Sequence, residues 1–234
     1  MPYYYGFDYT YLIFCLPPLL LAMWAQAKVK STFAQYSKVA SARGMTGRDA
    51  ARLILDANGL YHVPVTQMAG ELTDHFDPKD NVIRLSDPVC NVRSVAAVGV
   101  AAHEAGHAVQ HAVGYAPMKW RSALVPVANF GTQAAWPIIL IGLLFGSSQF
   151  LLNLGILMFS LGVLFQLVTL PVEFNASGRA LTILRDSGIL YGEEVGKTKK
   201  VLSAAAMTYV AAAAASILSL LRLIILFGGR RDRD

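Results

Sequence analysis

The chain has 234 residues, of which 55% are hydrophobic and 15% charged, with a formal net charge of +5. Soluble proteins average ~25% charged residues, so this deficit excludes an ordinary soluble chain, and the composition equally excludes disordered, collagen-like and disulfide-scaffold classes. The 20 Lys and Arg form no long basic run with interleaved aromatics, so no nucleic-acid partner is expected; the two cysteines, Cys15 and Cys90, form no CxxC pair.

The apolar residues are gathered into blocks. Tyr9 to Ala27 runs 19 residues without Asp, Glu, Lys or Arg, Ser122 to Val172 runs 51, and Val201 to Leu221 runs 21, each reaching the ~20 residues needed to cross a hydrocarbon core. Residues 1–27 read as an uncleaved transmembrane anchor. Ala25-Gln26-Ala27 resembles a signal cleavage site, but Asp8 and the lack of Lys or Arg before a long apolar run do not suit a signal peptide.

Residues 28–121 are polar enough to lie outside lipid. Thr46-Gly47-Arg48-Asp49 opens a capped amphipathic helix that closes at Asn58-Gly59. Short strands are predicted over 62–66, 70–76 and 80–85, punctuated by turns at Asp77-Pro78 and Asp87-Pro88. A long helix follows from Arg93 to Val113, closed by Gly114. The uncharged block 122–172 is too long for one span and reads as a transmembrane hairpin, 125–145 and 150–171, turning at Gly146-Ser147-Ser148-Gln149. Residues 173–202 are again polar, and 203–234 hold a fourth span, 204–227, and a charged tail. Arg222 inside that span must snorkel or find a partner; a buried soluble helix is the alternative reading.

Eleven Lys and Arg fall between Lys28 and Arg121, and Arg179, Arg185, Lys197, Lys199 and Lys200 between the third and fourth spans. Positive charge marks the cytoplasmic side, so both segments are expected there, with the N-terminus and the 146–149 turn outside. The Arg230-Arg231-Asp232-Arg233-Asp234 tail would then also lie outside, against the rule.

The helix near residue 100 carries His103-Glu104-Ala105-Gly106-His107, an H-E-x-x-H motif. Two imidazoles at i and i+4 project from one face and can share a Zn²⁺ at ~2.0–2.1 Å. Glu104 can then act as general base on a zinc-activated water and pass its proton to a leaving amine, the chemistry of peptide bond hydrolysis. Zinc needs a third protein ligand. His111 lies eight residues from His103, roughly 12 Å along a helix and too far to share the ion; it reads as a supporting or a helix-end histidine. Six residues after His107 stands Val113, which excludes the metzincin arrangement. Glu173, the first charge after 51 uncharged residues, is the outstanding candidate. Its alternative role is a helix N-terminal carboxylate favoured by the dipole. Glu193 and Glu194 rank below it, and Arg179, His75 and Tyr115 are oxyanion or substrate-positioning candidates only.

Gly70-Glu71-Leu72-Thr73-Asp74-His75-Phe76-Asp77-Pro78, Ala96 to His107, and Leu170-Pro171-Val172-Glu173-Phe174-Asn175-Ala176-Ser177 together resemble the YugP-like neutral zinc metallopeptidases of bacterial membranes, over most of the chain. More distantly the layout is similar to HtpX-type membrane gluzincins, in which the Glu of an E-x-x-A-D motif ligates zinc after a transmembrane hairpin. Here Ser177 stands in the Asp position, which offers a weaker orienting partner. The resemblance implies membrane proteolysis with Zn²⁺ as cofactor, a zincin-like segment over 28–121 and a second catalytic segment over 173–202.

The expected protein is therefore a mainly α, multi-pass membrane protein with about four spans and a zincin-like cytoplasmic portion containing a small β-sheet. Its expected function is zinc-dependent endopeptidase, with Glu104 as base and His103, His107 and Glu173 as ligands. Its partners are a protein or peptide substrate and the lipid bilayer. The competing reading is a membrane scaffold or adaptor with a structural zinc, which would need no Glu104. The strands could offer an edge to an extended substrate or merely cover the catalytic helices.

Overall fold

A computed structural model describes residues 9–228. In chain order the elements are α1 (Tyr9–Phe14), α2 (Leu16–Tyr36), α3 (Gly47–Ala57), β1 (Val65–Met68), β2 (His75–Asp77), β3 (Val82–Ser86), α4 (Asp87–Cys90), α5 (Val95–Ala112), α6 (Ala116–Leu144), α7 (Gln149–Asp186) and α8 (Glu193–Phe227). Among the described residues four stretches are long and apolar enough to cross a membrane: Tyr9–Tyr36, α6, α7 and α8. With one three-stranded sheet in addition, the chain has the mainly α membrane class expected of it. Asp8 and the Arg230 to Asp234 tail lie outside the described residues.

The helices overrun the uncharged blocks: α7 passes Pro171 and continues to Asp186, and α8 begins at Glu193. Hydropathy marks only the part of a helix that lipid would cover, while polar turns beyond it are held by packing. Asp87-Pro88, expected as a turn, instead opens the short α4, with proline in the first turn where its missing N–H costs nothing.

The chain divides into two compact units. Of the described residues, the first comprises 9–24, Trp120–Thr169 and 208–228. Gly146 and Ser147 reverse the chain between α6 and α7, both with left-handed φ, +71° and +59°. The two helices approach closely through small residues; a methyl on Gly131 would fall 2.7 Å from the Met158 carbonyl oxygen. Phe130, Leu140, Leu144, Phe150, Leu157 and Leu164 are exposed, as lipid-facing side chains are. Ile224 and Ile225 on α8 are exposed too, unlike a buried soluble helix. Arg222 finds partners: its Nε lies 3.1 Å from Thr10 Oγ1 and its guanidinium 4.7 Å over the Tyr11 ring.

The second unit comprises Ala25–Lys119 and Leu170–Met207. Its sheet has the order β1-β3-β2, with β1 parallel and β2 antiparallel to β3, Phe76 opposite Ile83. Thr46 and Asp49 close a reciprocal capping box at the start of α3. The core gathers Ile54 and Leu55 from α3, Ile83 and Leu85 from β3, Val95 and Val98 from α5, and Val172 and Leu184 from α7. Ser94 caps α5 by accepting from the Ala97 N–H at 3.1 Å, and Gly114, with φ +66°, closes it. Nearly every residue of α5 from Val95 to Gln110 is buried, and its small side chains let neighbouring helices come close. A Cβ on Gly106 would fall 2.8 Å from the Ala176 carbonyl oxygen of α7.

Candidate active site

Helical spacing alone places His103 and His107 on one face of α5; the contact between Gly106 and Ala176 then sets that face against α7. His107 Nε2 lies 3.1 Å from His103 Nε2, and Glu173 Oε2 lies 3.2 Å from His103 Nε2 and 3.5 Å from His107 Nε2. The rings stand nearly perpendicular, at 83°. Glu173 is 2% exposed and His107 6%. Among the described residues these three form the group able to hold a metal ion. Ligand atoms held tetrahedrally at ~2.0–2.1 Å lie about 3.3 Å apart, so the observed triangle has the size that zinc requires. Two imidazoles and a carboxylate also suit its borderline-soft character.

Glu104 is buried on the same helix, and its Oε2 accepts the Phe76 N–H at 2.9 Å. Burial pushes its carboxyl up to about 7; the adjacent His103 opposes this, while Glu173 and Asp74 add to it. A carboxyl poised there can accept and return a proton near neutral pH. Phe76 belongs to β2, an edge strand. Asp74 fixes the entry to that strand, its Oδ1 accepting the Ser86 N–H at 2.7 Å and its Oδ2 the Ser86 hydroxyl at 2.8 Å.

Ser177, in the position of the expected carboxylate, has its Oγ 3.1 Å from His103 Nδ1. The other candidates lie elsewhere. His111 is exposed at the end of α5, its ring centroid 5.7 Å from that of Phe76. Glu193 pairs with Lys197 at 3.3 Å, and Glu194 accepts the Ala42 N–H at 2.7 Å and the Tyr191 N–H at 3.0 Å. His75 Nδ1 faces the Thr73 carbonyl at 2.8 Å, Tyr115 packs against the core, and Arg179 Nε donates to Asn175 Oδ1 at 2.8 Å.

Two residues escaped the reading of the sequence. Gln110 is fully buried, with Oε1 3.0 Å from His107 Nδ1, and Asn175 accepts from it across the helix pair. An amide one turn beyond the second histidine of the motif on a buried apolar helix was the available signal, since it must find partners there.

Comparison with known proteins places the whole described chain in one family. The family model described as "Putative neutral zinc metallopeptidase" matches residues 11–228. The chain is 49% identical over 224 residues to the "Putative membrane protease YugP" of Bacillus subtilis (strain 168), covering 96% of this chain and 99% of that protein. No solved structure matches. Since the family model runs through every described helix from the anchor to the last span, this membrane chain belongs to the neutral zinc metallopeptidase family.

Proposed function

We propose that the protein is a membrane endopeptidase that binds Zn²⁺ through His103, His107 and Glu173 and cleaves peptide bonds with Glu104 as general base and acid. The observation that carries this reading is the triangle of His103 Nε2, His107 Nε2 and Glu173 Oε2, with Glu104 buried next in sequence to one corner. Zinc supplies Lewis acidity, polarising a scissile carbonyl and lowering the pKa of water towards ~7. The chain's own groups do the rest. Glu104 takes a proton from the attacking water and returns it to the departing amine, and the Phe76 N–H keeps its Oε2 in place. An extended substrate added to the outer edge of β2 would run beside this carboxyl.

A structural zinc site takes four protein ligands, whereas three donors converge among the described residues. That, with the buried base, favours catalysis over a scaffold. The excess of Lys and Arg in 28–121 and 173–202 supports a cytoplasmic site, and a site there would meet membrane-inserted or misfolded proteins as its substrates. The test is metal analysis of purified protein with cleavage of an unfolded substrate. Glu104→Gln should retain zinc and lose turnover by about 10²- to 10⁴-fold; unchanged turnover would sink the mechanism.

A further inference from the structure

We propose that Gln110 is a positioning residue that fixes the tautomer of His107 and docks the Glu173 turn of α7 against it, acting as the middle of a network that starts at Arg179. The proposal rests on the reading of His103, His107 and Glu173 as metal ligands. Gln110 lies on α5 one turn beyond His107 and is fully buried, so its amide must be satisfied within the protein. Its Nε2 lies 2.9 Å from the Val172 carbonyl oxygen and 2.9 Å from Asn175 Oδ1.

The orientation of each amide follows from the far end. Arg179 Nε can only donate, so the Asn175 atom 2.8 Å from it must be oxygen. That oxygen and the Val172 carbonyl are both acceptors, so the Gln110 atom facing them must be nitrogen. Its oxygen therefore faces His107 Nδ1, at 3.0 Å, and accepts a proton carried there. A neutral imidazole protonated at Nδ1 keeps its lone pair on Nε2, the atom directed at His103 and Glu173. His103 is held differently, because the Ser177 hydroxyl at its Nδ1 can donate as well as accept. Val172 and Asn175 also flank Glu173, so one amide locks the ring of a ligand on α5 and the helical turn carrying a ligand on α7.

The test uses the full chain in detergent, with Zn²⁺ affinity measured by chelator competition, the visible spectrum of the Co²⁺-loaded protein and the melting temperature of the metal-free protein. Gln110→Leu is expected to weaken zinc binding about 10- to 100-fold and to change the cobalt bands, through loss of ring orientation. Arg179→Met should weaken binding in the same direction by a smaller factor. A lowered melting temperature with wild-type zinc affinity and wild-type cobalt bands would make Gln110 a packing residue and overturn the proposal. If Gln110→Leu does not fold, Arg179→Met decides: unaltered affinity and spectrum overturn it. His107→Ala separates the two readings. Wild-type zinc affinity in His107→Ala would remove the metal site itself, whereas its loss there and retention in Gln110→Leu would refute only the role of Gln110.

Discussion

Gly106→Ala probes the contact that brings the two halves of the site together. The new Cβ would lie 2.8 Å from the Ala176 carbonyl oxygen and 3.4 Å from its carbonyl carbon and Cα. Carbon–oxygen contacts settle near about 3.3 Å, so α5 and α7 must separate by about 0.5 Å at this point. Overpacking of this kind costs about 1–3 kcal/mol, and replacing glycine inside a helix returns about 1 kcal/mol. Stability should therefore fall by no more than about 2 kcal/mol. Metal binding is more sensitive. His103 and His107 ride on α5 and Glu173 on α7, so the same shift widens their 3.2 and 3.5 Å separations beyond the ~0.2 Å tolerance of a zinc site. A ten- to hundredfold loss of zinc affinity, roughly that of losing a supporting contact, is expected, with a small change in melting temperature. Chelator competition and thermal unfolding of the metal-free protein measure the two separately. Zinc affinity equal to wild type in a folded Gly106→Ala protein would refute the claim that this contact sets the site.

Glu173→Ala should abolish tight zinc binding, beyond the 10- to 100-fold typical of a supporting contact, while Glu193→Ala leaves affinity at wild type and Glu194→Ala lowers melting temperature alone; tight binding by Glu173→Ala would move the third ligand elsewhere. Cys90 is fully buried and cannot report sidedness, so impermeant thiol labelling of intact cells should use Ser147→Cys, expected to label, and Lys199→Cys, expected not to; the reverse pattern inverts the topology. The Thr46 hydroxyl and backbone N–H hold the Asp49 carboxyl below its ordinary range. Because the folded value is the lower one, this contribution is present above about pH 4 and is lost as pH falls through the folded value. Thr46→Ala should cost about 1 kcal/mol near neutrality and flatten the acid limb of stability against pH; an unchanged acid limb would count against the box.

What the sequence disclosed and what it hid differ in kind. His103, Glu104 and His107 sit on one helix, so their spacing alone aligns them. Glu173 stood out because an ionised group that ends a long uncharged stretch has to be explained. β2 has three residues where 70–76 was expected, and just before it Asp74 binds Ser86, a pairing of side chain and remote backbone that no local pattern announces. The Phe76 N–H is beyond sequence reading altogether, since every residue but proline has one. Gln110 and Asn175 were visible as buried-helix amides, but their meaning requires the approach of α7, and that approach is set by the absence of a side chain at Gly106.

The hydroxyl at Ser177 is consistent with this distribution of support. A carboxylate there would place a further negative charge near Glu104 and Glu173, both already buried, where like charges and desolvation both oppose ionisation. It would also add to the pressure that raises the Glu104 carboxyl. A hydroxyl at 3.1 Å from His103 Nδ1 gives up orienting strength without adding charge. The firmer hold falls on His107, through a neutral amide chain whose one charge, on Arg179, is positive and sits at its far end. On the proposed reading, two histidine ligands oriented by neutral partners leave Glu173 as the carboxyl that binds the metal and Glu104 as the one that moves protons.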